Sequence, residues 1–294
     1  LELISSTESE TEQTQKIIQI DLVGPIVSAP ESGSLFAQES SICVEKTKKL
    51  IKQAKDDPDV KAVILRIQSP GGEVTASDVI YNQVNELKKT KPVYIFMDGV
   101  AASGGYYIAC AGSHITASET TITGSIGVIM GGFNASELMG KIGLQNQTFT
   151  SGPFKDSLSP ARPMSESEKN YIQQLINDMY LRFTKVVSSG RNIPLDDHLR
   201  NNIANGKVYL APTALENHLI DSIGYIEDVY TKVRTEMNIP DLPIYRYYQE
   251  TNFLEMLAGV NSFNKPIQIS LTPNWFNLHQ HLNPGVAYYL YTHP

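Results

Sequence analysis

An α/β fold of repeated strand–helix units is predicted by three features of the sequence. Short apolar runs rich in branched and aromatic residues recur, chiefly at residues 60–68 and 92–97. Stretches with apolar residues at helical spacing lie between them. Breakers such as Asp57-Pro58, Ser69-Pro70-Gly71-Gly72 and Asp98-Gly99 mark each change of texture. Continuous apolar strands alternating with helices are the pattern of a parallel sheet covered on both faces.

Residues 5–15 are polar and acidic without period, so the first unit, residues 1–15, reads as a disordered acidic stalk. Residues 16–27 are the first strand, broken at Gly24-Pro25, and residues 28–38 a loop. Residues 42–55 are helical, with Ile42, Leu50, Ile51 and Ala54 near one face, until Asp56-Asp57-Pro58-Asp59 stops them. The strand at 60–68 ends in Ser69-Pro70-Gly71-Gly72, and a helix follows at 77–89. The strand at 92–97 is closed by Asp98-Gly99, and a helix restarts near Ser103. Ile115-Thr116-Ala117 and residues 120–129 come next, then a short helix around 136–141 and a strand at 145–150. The helix at 165–188 opens on Ser165-Glu166-Ser167-Glu168, a cap with early acids, and is ended by Gly190. Two more helices are expected at 213–219 and 228–237, closing a main domain at 16–238. Residues 239–294 carry Pro240, Pro243, Pro266, Pro273, Pro284 and Pro294 and read as a C-terminal extension. It holds a strand at 244–248 and a short helix at 253–258. Its end, Val286-Ala287-Tyr288-Tyr289-Leu290-Tyr291, is too apolar to hang free in water without a partner surface.

Composition excludes several function classes. The 294 residues carry 24 basic against 31 acidic side chains and contain no basic block, so no nucleic-acid partner is expected. Cys43 and Cys110 form no disulfide or metal framework by spacing, and no HExxH or paired Cys/His pattern occurs, so no metal or other cofactor is expected. No apolar run approaches the roughly 18–20 residues of a membrane span, and no signal peptide is visible. The first residue is Leu rather than Met, and an N-terminal piece is expected to have been removed.

The chemistry gathers around Asp98-Gly99-Val100-Ala101-Ala102-Ser103-Gly104-Gly105-Tyr106-Tyr107. Ser103 sits where a strand hands over to a helix, among Ala and Gly neighbours that leave room for a substrate backbone. Helix-start N–H groups favour a developing negative charge there. Ser103 reads as a nucleophile or as a small residue in a tight turn. His114, His198, His218, His279, His281 and His293 lie in no catalytic pattern and read as surface or satisfied histidines. Lysine is then the candidate base. A free lysine amine has a pKa of about 10.4, so it accepts a proton at neutral pH only where desolvation lowers that value. Lys155, in the loop Gly152-Pro153-Phe154-Lys155-Asp156, is either such a base or a solvated charge beside Asp156. For the oxyanion, Gly71 and Gly104 are the candidate N–H donors, Gly71 at the C-terminal end of a strand where α/β proteins bind ligands. The alternative for Ser69-Pro70-Gly71-Gly72 is an ordinary turn.

Three stretches together carry a resemblance: Leu65-Arg66-Ile67-Gln68-Ser69-Pro70-Gly71-Gly72, Ala101-Ala102-Ser103-Gly104-Gly105-Tyr106-Tyr107-Ile108-Ala109 and Thr123-Gly124-Ser125-Ile126-Gly127-Val128. With the late segment from Asn205-Gly206-Lys207-Val208-Tyr209 to Leu219-Ile220-Asp221-Ser222-Ile223-Gly224, they resemble the signal peptide peptidase A family over residues 16–235. These are Ser/Lys peptidases of the Clp protease and crotonase fold group, so the resemblance implies that α/β fold. It also implies Ser103 as nucleophile, Lys155 as general base and Ser125 as the hydroxyl that orients the lysine amine. Gly71 takes the place of the oxyanion donor, with Gly104 and Gly72 beside it as oxyanion or substrate-binding positions. Lys155 lies 52 residues after Ser103, which resembles the shorter, single-domain form of the family. The Clp protease histidine has no counterpart in Ser125-Ile126-Gly127-Val128-Ile129-Met130, which disfavours a Ser-His-Asp triad.

The resemblance further implies apolar remnant signal peptides as substrates and ring- or dome-shaped homo-oligomers with sites built at subunit boundaries. It implies a catalytic domain on the extracytoplasmic side of the cell membrane, anchored through an N-terminal segment, with the stalk as its point of attachment. The apolar tail is expected to pack on a neighbouring subunit, or to lie in a groove as an inhibitory or self-cleaved peptide. Competing readings are a related Ser/Lys protease cutting a specific apolar segment of a membrane protein, a crotonase-like enzyme acting on an acyl-CoA thioester, and a non-catalytic scaffold.

Overall fold

Side chains along the long strands alternate between two cores on opposite faces of one sheet. The computed structural model describes residues 1–6, 14–29, 41–247 and 287–290. In chain order its elements are β1 (Glu2–Ser5), β2 (Lys16–Val23), β3 (Ile26–Val27), β4 (Ile42–Cys43), α1 (Val44–Asp56), β5 (Val60–Ser69), β6 (Gly71–Glu73), α2 (Val74–Lys88), β7 (Val93–Ala102) and α3 (Gly104–Ala109). There follow β8 (His114–Ala117), β9 (Ile122–Gly124), α4 (Ser136–Lys141), α5 (Glu166–Arg191), β10 (Val208–Leu210), α6 (Ala211–Glu216), β11 (Ser222–Ile223), α7 (Ile226–Met237), β12 (Ile244–Arg246) and β13 (Tyr288–Leu290).

The main sheet has the order β1-β12-β2-β5-β7-β8-β11. Every pair from β12 to β11 is parallel, and β1 joins antiparallel at the edge. Val63, Leu65 and Ile67 of β5, with Val93, Ile95 and Met97 of β7, enter the larger core with α1, α2 and α3. Their neighbours Ala62, Ile64, Tyr94 and Phe96 enter the second core with Val229, Tyr230 and Val233 of α7. Period-two alternation between two covered faces accounts for the unbroken apolar runs. Past Phe96 the second face turns polar: Arg66 donates from Nε to Asp98 at 3.1 Å, and Arg246 reaches Asp21 at 3.0 Å. A smaller sheet, β13-β6-β3-β4, sits beside the C-terminal ends of β5 and β7.

Four sequence expectations need correction. Asp98-Gly99 does not end the central strand: β7 runs on to Ala102, with Gly99 at φ +67° and a register shift opposite Ile67–Ser69. The irregularity carries the strand to the residue before Ser103. Gly190 does not end the long helix, which continues to Arg191 and is capped by left-handed Asn192. A Cβ on Gly190 would lie 2.3 Å from the Cys110 carbonyl oxygen, so this glycine is a close approach of α5 to the chain after α3. The strand expected at 145–150 is absent; all six residues are exposed, and without a neighbouring ladder to satisfy its backbone an extended segment is no strand. Finally, Glu2–Ser5 is not free stalk but pairs antiparallel with β12. Residues 7–13, the loop at 30–38 and the helix expected at 253–258 lie outside the described residues. Among the described residues no helix is long and apolar enough to cross a membrane.

Candidate active site

Ser103 stands between β7 and α3 in a backbone conformation that L-residues seldom adopt, φ 53° and ψ −115°. Such strain costs on the order of 1–3 kcal/mol and persists only where the surroundings over-determine it. The surroundings do so here. Its N–H donates to the Gly124 carbonyl at 2.8 Å, and its carbonyl accepts the Tyr107 N–H at 2.8 Å. Tyr107 is anchored in turn, its hydroxyl donating to Asp78 at 2.5 Å while Arg182 of α5 donates to the same carboxylate at 2.9 Å. The Tyr106 hydroxyl donates to the Leu219 carbonyl at 2.9 Å. α3 is therefore tied to α2, α5 and the segment before β11. The Ser103 side chain is not tied: Oγ is buried and makes no hydrogen bond among the described residues.

Gly71 and Gly104 meet beside it. A Cβ on Gly104 would lie 3.2 Å from the Gly71 Cα and 2.5 Å from Ser77 Oγ, so a side chain there would have to displace the Ser77 hydroxyl and press on Gly71. Gly71 has φ +105°, and its N–H donates to Ser69 Oγ at 3.1 Å, an acceptor that sequence reasoning missed. α3 has six residues, so any oxyanion is served by local N–H groups rather than by the dipole of a long helix. Gly72 has a packing duty: it pairs with Ile26 of β3, and a Cβ there would lie 2.0 Å from the Ile26 carbonyl oxygen. Backbone cannot yield as a side chain does, so Gly72→Ala is expected to lower stability by about 3 kcal/mol or more. A thermal unfolding midpoint within a degree of wild type would refute this.

Ser125 joins the same locus through the backbone, since the carbonyl that receives the Ser103 N–H belongs to its neighbour Gly124. Ser125 is also strained, at φ 50°, and its N–H donates to the Lys207 carbonyl at 2.7 Å. It opens onto a cavity of about 810 Å³ shared with Ile126, Val128, Tyr180, Arg200 and Lys207. Ser103, Ser125, Gly71 and Gly104 are thus brought together.

Lys155 is not brought to them. It lies exposed in the stretch between β9 and α5, and among the described residues its side chain forms no ion pair or hydrogen bond. From residue 129 to residue 167 only Ser157 is buried, while Phe149 is 96% exposed and Ile142 70%. Leu138, Leu144 and Phe154 on this segment are exposed as well.

Along the other edge of the locus, β13 pairs antiparallel with β6, Tyr289 opposite Gly72 and Leu290 opposite Gly71. The Val74 N–H donates to the Ala287 carbonyl at 3.2 Å. The apolar tail therefore lies along the chain's own glycine edge as an added strand. Neither His114 nor His198 joins the site; they hydrogen-bond Ser222 and Asn202. His279, His281 and His293 lie outside the described residues. No group of three or more His, Cys, Asp or Glu among the described residues is arranged to hold a metal ion.

Residues 85–240 match Peptidase family S49, and residues 38–128 match Clp protease. A putative signal peptide peptidase SppA of Enterococcus faecium is 37% identical over 251 residues, covering 85% of this chain and 72% of that protein. Chloroplastic serine protease SPPA of Arabidopsis thaliana is 34% identical over 209 residues, 71% of this chain and 31% of that one. Protease 4 of Salmonella typhi is 34% identical over 209 residues, 70% of this chain and 33% of that one. The chain thus spans about a third of the length of the last two.

Proposed function

The chain belongs to peptidase family S49 and is a serine protease of Clp protease-like fold, and from that premise we propose that Ser103 attacks the peptide with Lys155 as its base. The observation that carries this is the strained, buried Ser103 hydroxyl, unpartnered beside the Gly71–Gly104 contact. The neutral lysine amine takes the Ser103 proton as Oγ bonds to the scissile carbonyl carbon. The Gly71 N–H turns from Ser69 Oγ to the oxyanion, a charged acceptor being preferred over a neutral hydroxyl. The lysine ammonium returns its proton to the leaving amine as the C–N bond breaks, and water then hydrolyses the ester. Ser125 accepts from or donates to the amine and orients it.

The lysine comes from a neighbouring copy. Lys155 sits on an exposed, apolar segment, and the cavity at Ser125 is open to receive another chain. The functional unit is accordingly a homo-oligomer. The substrate is an extended apolar peptide, bound by strand addition to β6 as β13 is. Remnant signal peptides have that character, and a protease clearing them works at the extracytoplasmic face of the cell membrane, held by an N-terminal anchor. Labelling by a fluorophosphonate that depends on both Ser103 and Lys155 is the test. Because β13 occupies the glycine edge, deleting residues 286–294 should raise peptide turnover several-fold. Unchanged turnover and assembly after that deletion would remove the tail from the account.

A further inference from the structure

The loop that carries Lys155 contains a side-chain cluster that the dyad leaves unused. Asp156 follows Lys155 directly. A carboxylate within about 4–6 Å of an amine favours its protonated form, commonly by 1–3 pH units, which is the wrong state for a base. Here that carboxylate is engaged elsewhere. Arg162 donates from Nε to Asp156 Oδ2 at 2.9 Å and from Nη2 to Oδ1 at 2.7 Å. The other side of the guanidinium holds Glu168, at 3.0 Å from Nη1 and 2.5 Å from Nη2.

Glu168 is fixed in its turn. It is 3% exposed and accepts the Ser165 N–H at 2.7 Å, while its own N–H donates to Ser165 Oγ at 3.3 Å. The capping box that starts α5 thus anchors Arg162, and Arg162 anchors Asp156. The Arg162 guanidinium holds the Asp156 and Glu168 carboxyls below their usual values, Glu168 well below, so both stay charged and bound to it through the neutral range. The loop itself is closed by the Lys155 N–H on the Gly152 carbonyl and by Ser157 Oγ on the Phe154 carbonyl. The titratable or charged groups around Lys155 on the loop and on the first turns of α5 are Asp156, Arg162, Glu166, Glu168, Lys169 and Tyr171; Glu166 and Lys169 pair with each other at 2.6 Å, and the Tyr171 ring lies 5.4 Å from Phe154.

Resting on the dyad reading, we propose that Arg162 is a positioning residue that withholds the Asp156 carboxylate from Lys155 and so keeps the amine free to take the serine proton. A planar fork that binds two carboxylates at once does this, and a lysine at the same place cannot.

The test is the pH dependence of fluorophosphonate labelling of the full chain, followed from about pH 6 to about pH 10. Arg162→Met frees Asp156 to pair with Lys155. The rising limb should move up by about one pH unit or more, a roughly tenfold loss at neutral pH that alkaline solution restores. Adding Asp156→Asn to Arg162→Met should bring the limb back towards wild type. A loss equal at every pH, or a limb still displaced in the double variant, would overturn the proposal. Should Arg162→Met not fold, Arg162→Lys keeps the charge without the fork. It should displace the limb in the same direction and be corrected by Asp156→Asn, and an unmoved limb overturns the proposal. Lys155→Ala separates this from the underlying reading. A wild-type limb that survives Lys155→Ala sinks the dyad, and this proposal with it. A limb that needs Lys155 and ignores Arg162 sinks the positioning role alone.

Discussion

Ser103→Ala abolishes fluorophosphonate labelling and lowers peptide hydrolysis by about 10⁴-fold or more, and Lys155→Ala lowers both by about 10²–10⁴-fold near neutral pH. The larger loss belongs to the serine because no covalent intermediate forms without it. The lysine loss is smaller, since the oxyanion donors and the binding edge remain and solvent can accept the proton slowly. Neither change should unfold the chain. Ser103 Oγ makes no hydrogen bond among the described residues, and the Lys155 side chain is exposed. Thermal unfolding run beside the labelling checks that. Hydrolysis that survives Ser103→Ala would instead favour chemistry that never needed the hydroxyl, such as attack on an acyl thioester in the same fold.

Mixing the two inactive chains should restore activity. If the lysine serves a neighbour's serine, an assembly of Ser103→Ala and Lys155→Ala chains contains sites with an intact serine from one and an intact lysine from the other. Random mixing places both in about a quarter of the sites, so about a quarter of wild-type turnover is expected after subunit exchange. The expectation follows from placement within one chain. Ser103 is 1% exposed at the end of the central strand, whereas Lys155 projects on a segment in which Ile142, Leu144 and Phe149 face outward. A mixture shown by mass to contain both chains in one assembly, yet inactive, would place the lysine in its own chain's site.

Much of this was legible in the sequence. The parallel sheet follows from runs such as Val-Ile-Leu-Arg-Ile at 63–67, because a strand covered on both faces must be apolar at nearly every position. The start of α5 at Ser165 follows from Ser-x-x-Glu, a local motif whose two hydrogen bonds depend only on residues three apart. The serine locus was legible as small residues at the ends of strands, with Ser103 open to two readings, nucleophile or turn residue, and the family resemblance decided between them.

The rest depends on contacts between segments far apart in the chain. Gly190 reads as a helix stop, yet it is a glycine because Cys110 passes against it. Residues 145–150 read as a strand, yet among the described residues no strand pairs with them. Gly72 is named by its motif, but its need to be glycine comes from Ile26. Arg162 bears no catalytic signature, and its hold on Asp156 and Glu168 appears only once the loop is folded onto the start of α5. Local pattern by itself determined the fold class and most of the long strands and helices, and singled out Ser103 with two readings open, since each of these is encoded within a few turns or one strand. Tertiary structure alone decided which glycines are close approaches, that Ser103 is buried while Lys155 is exposed, and that Asp156 pairs with Arg162. Those are matters of distance between residues whose separation along the chain carries no record of their separation in space.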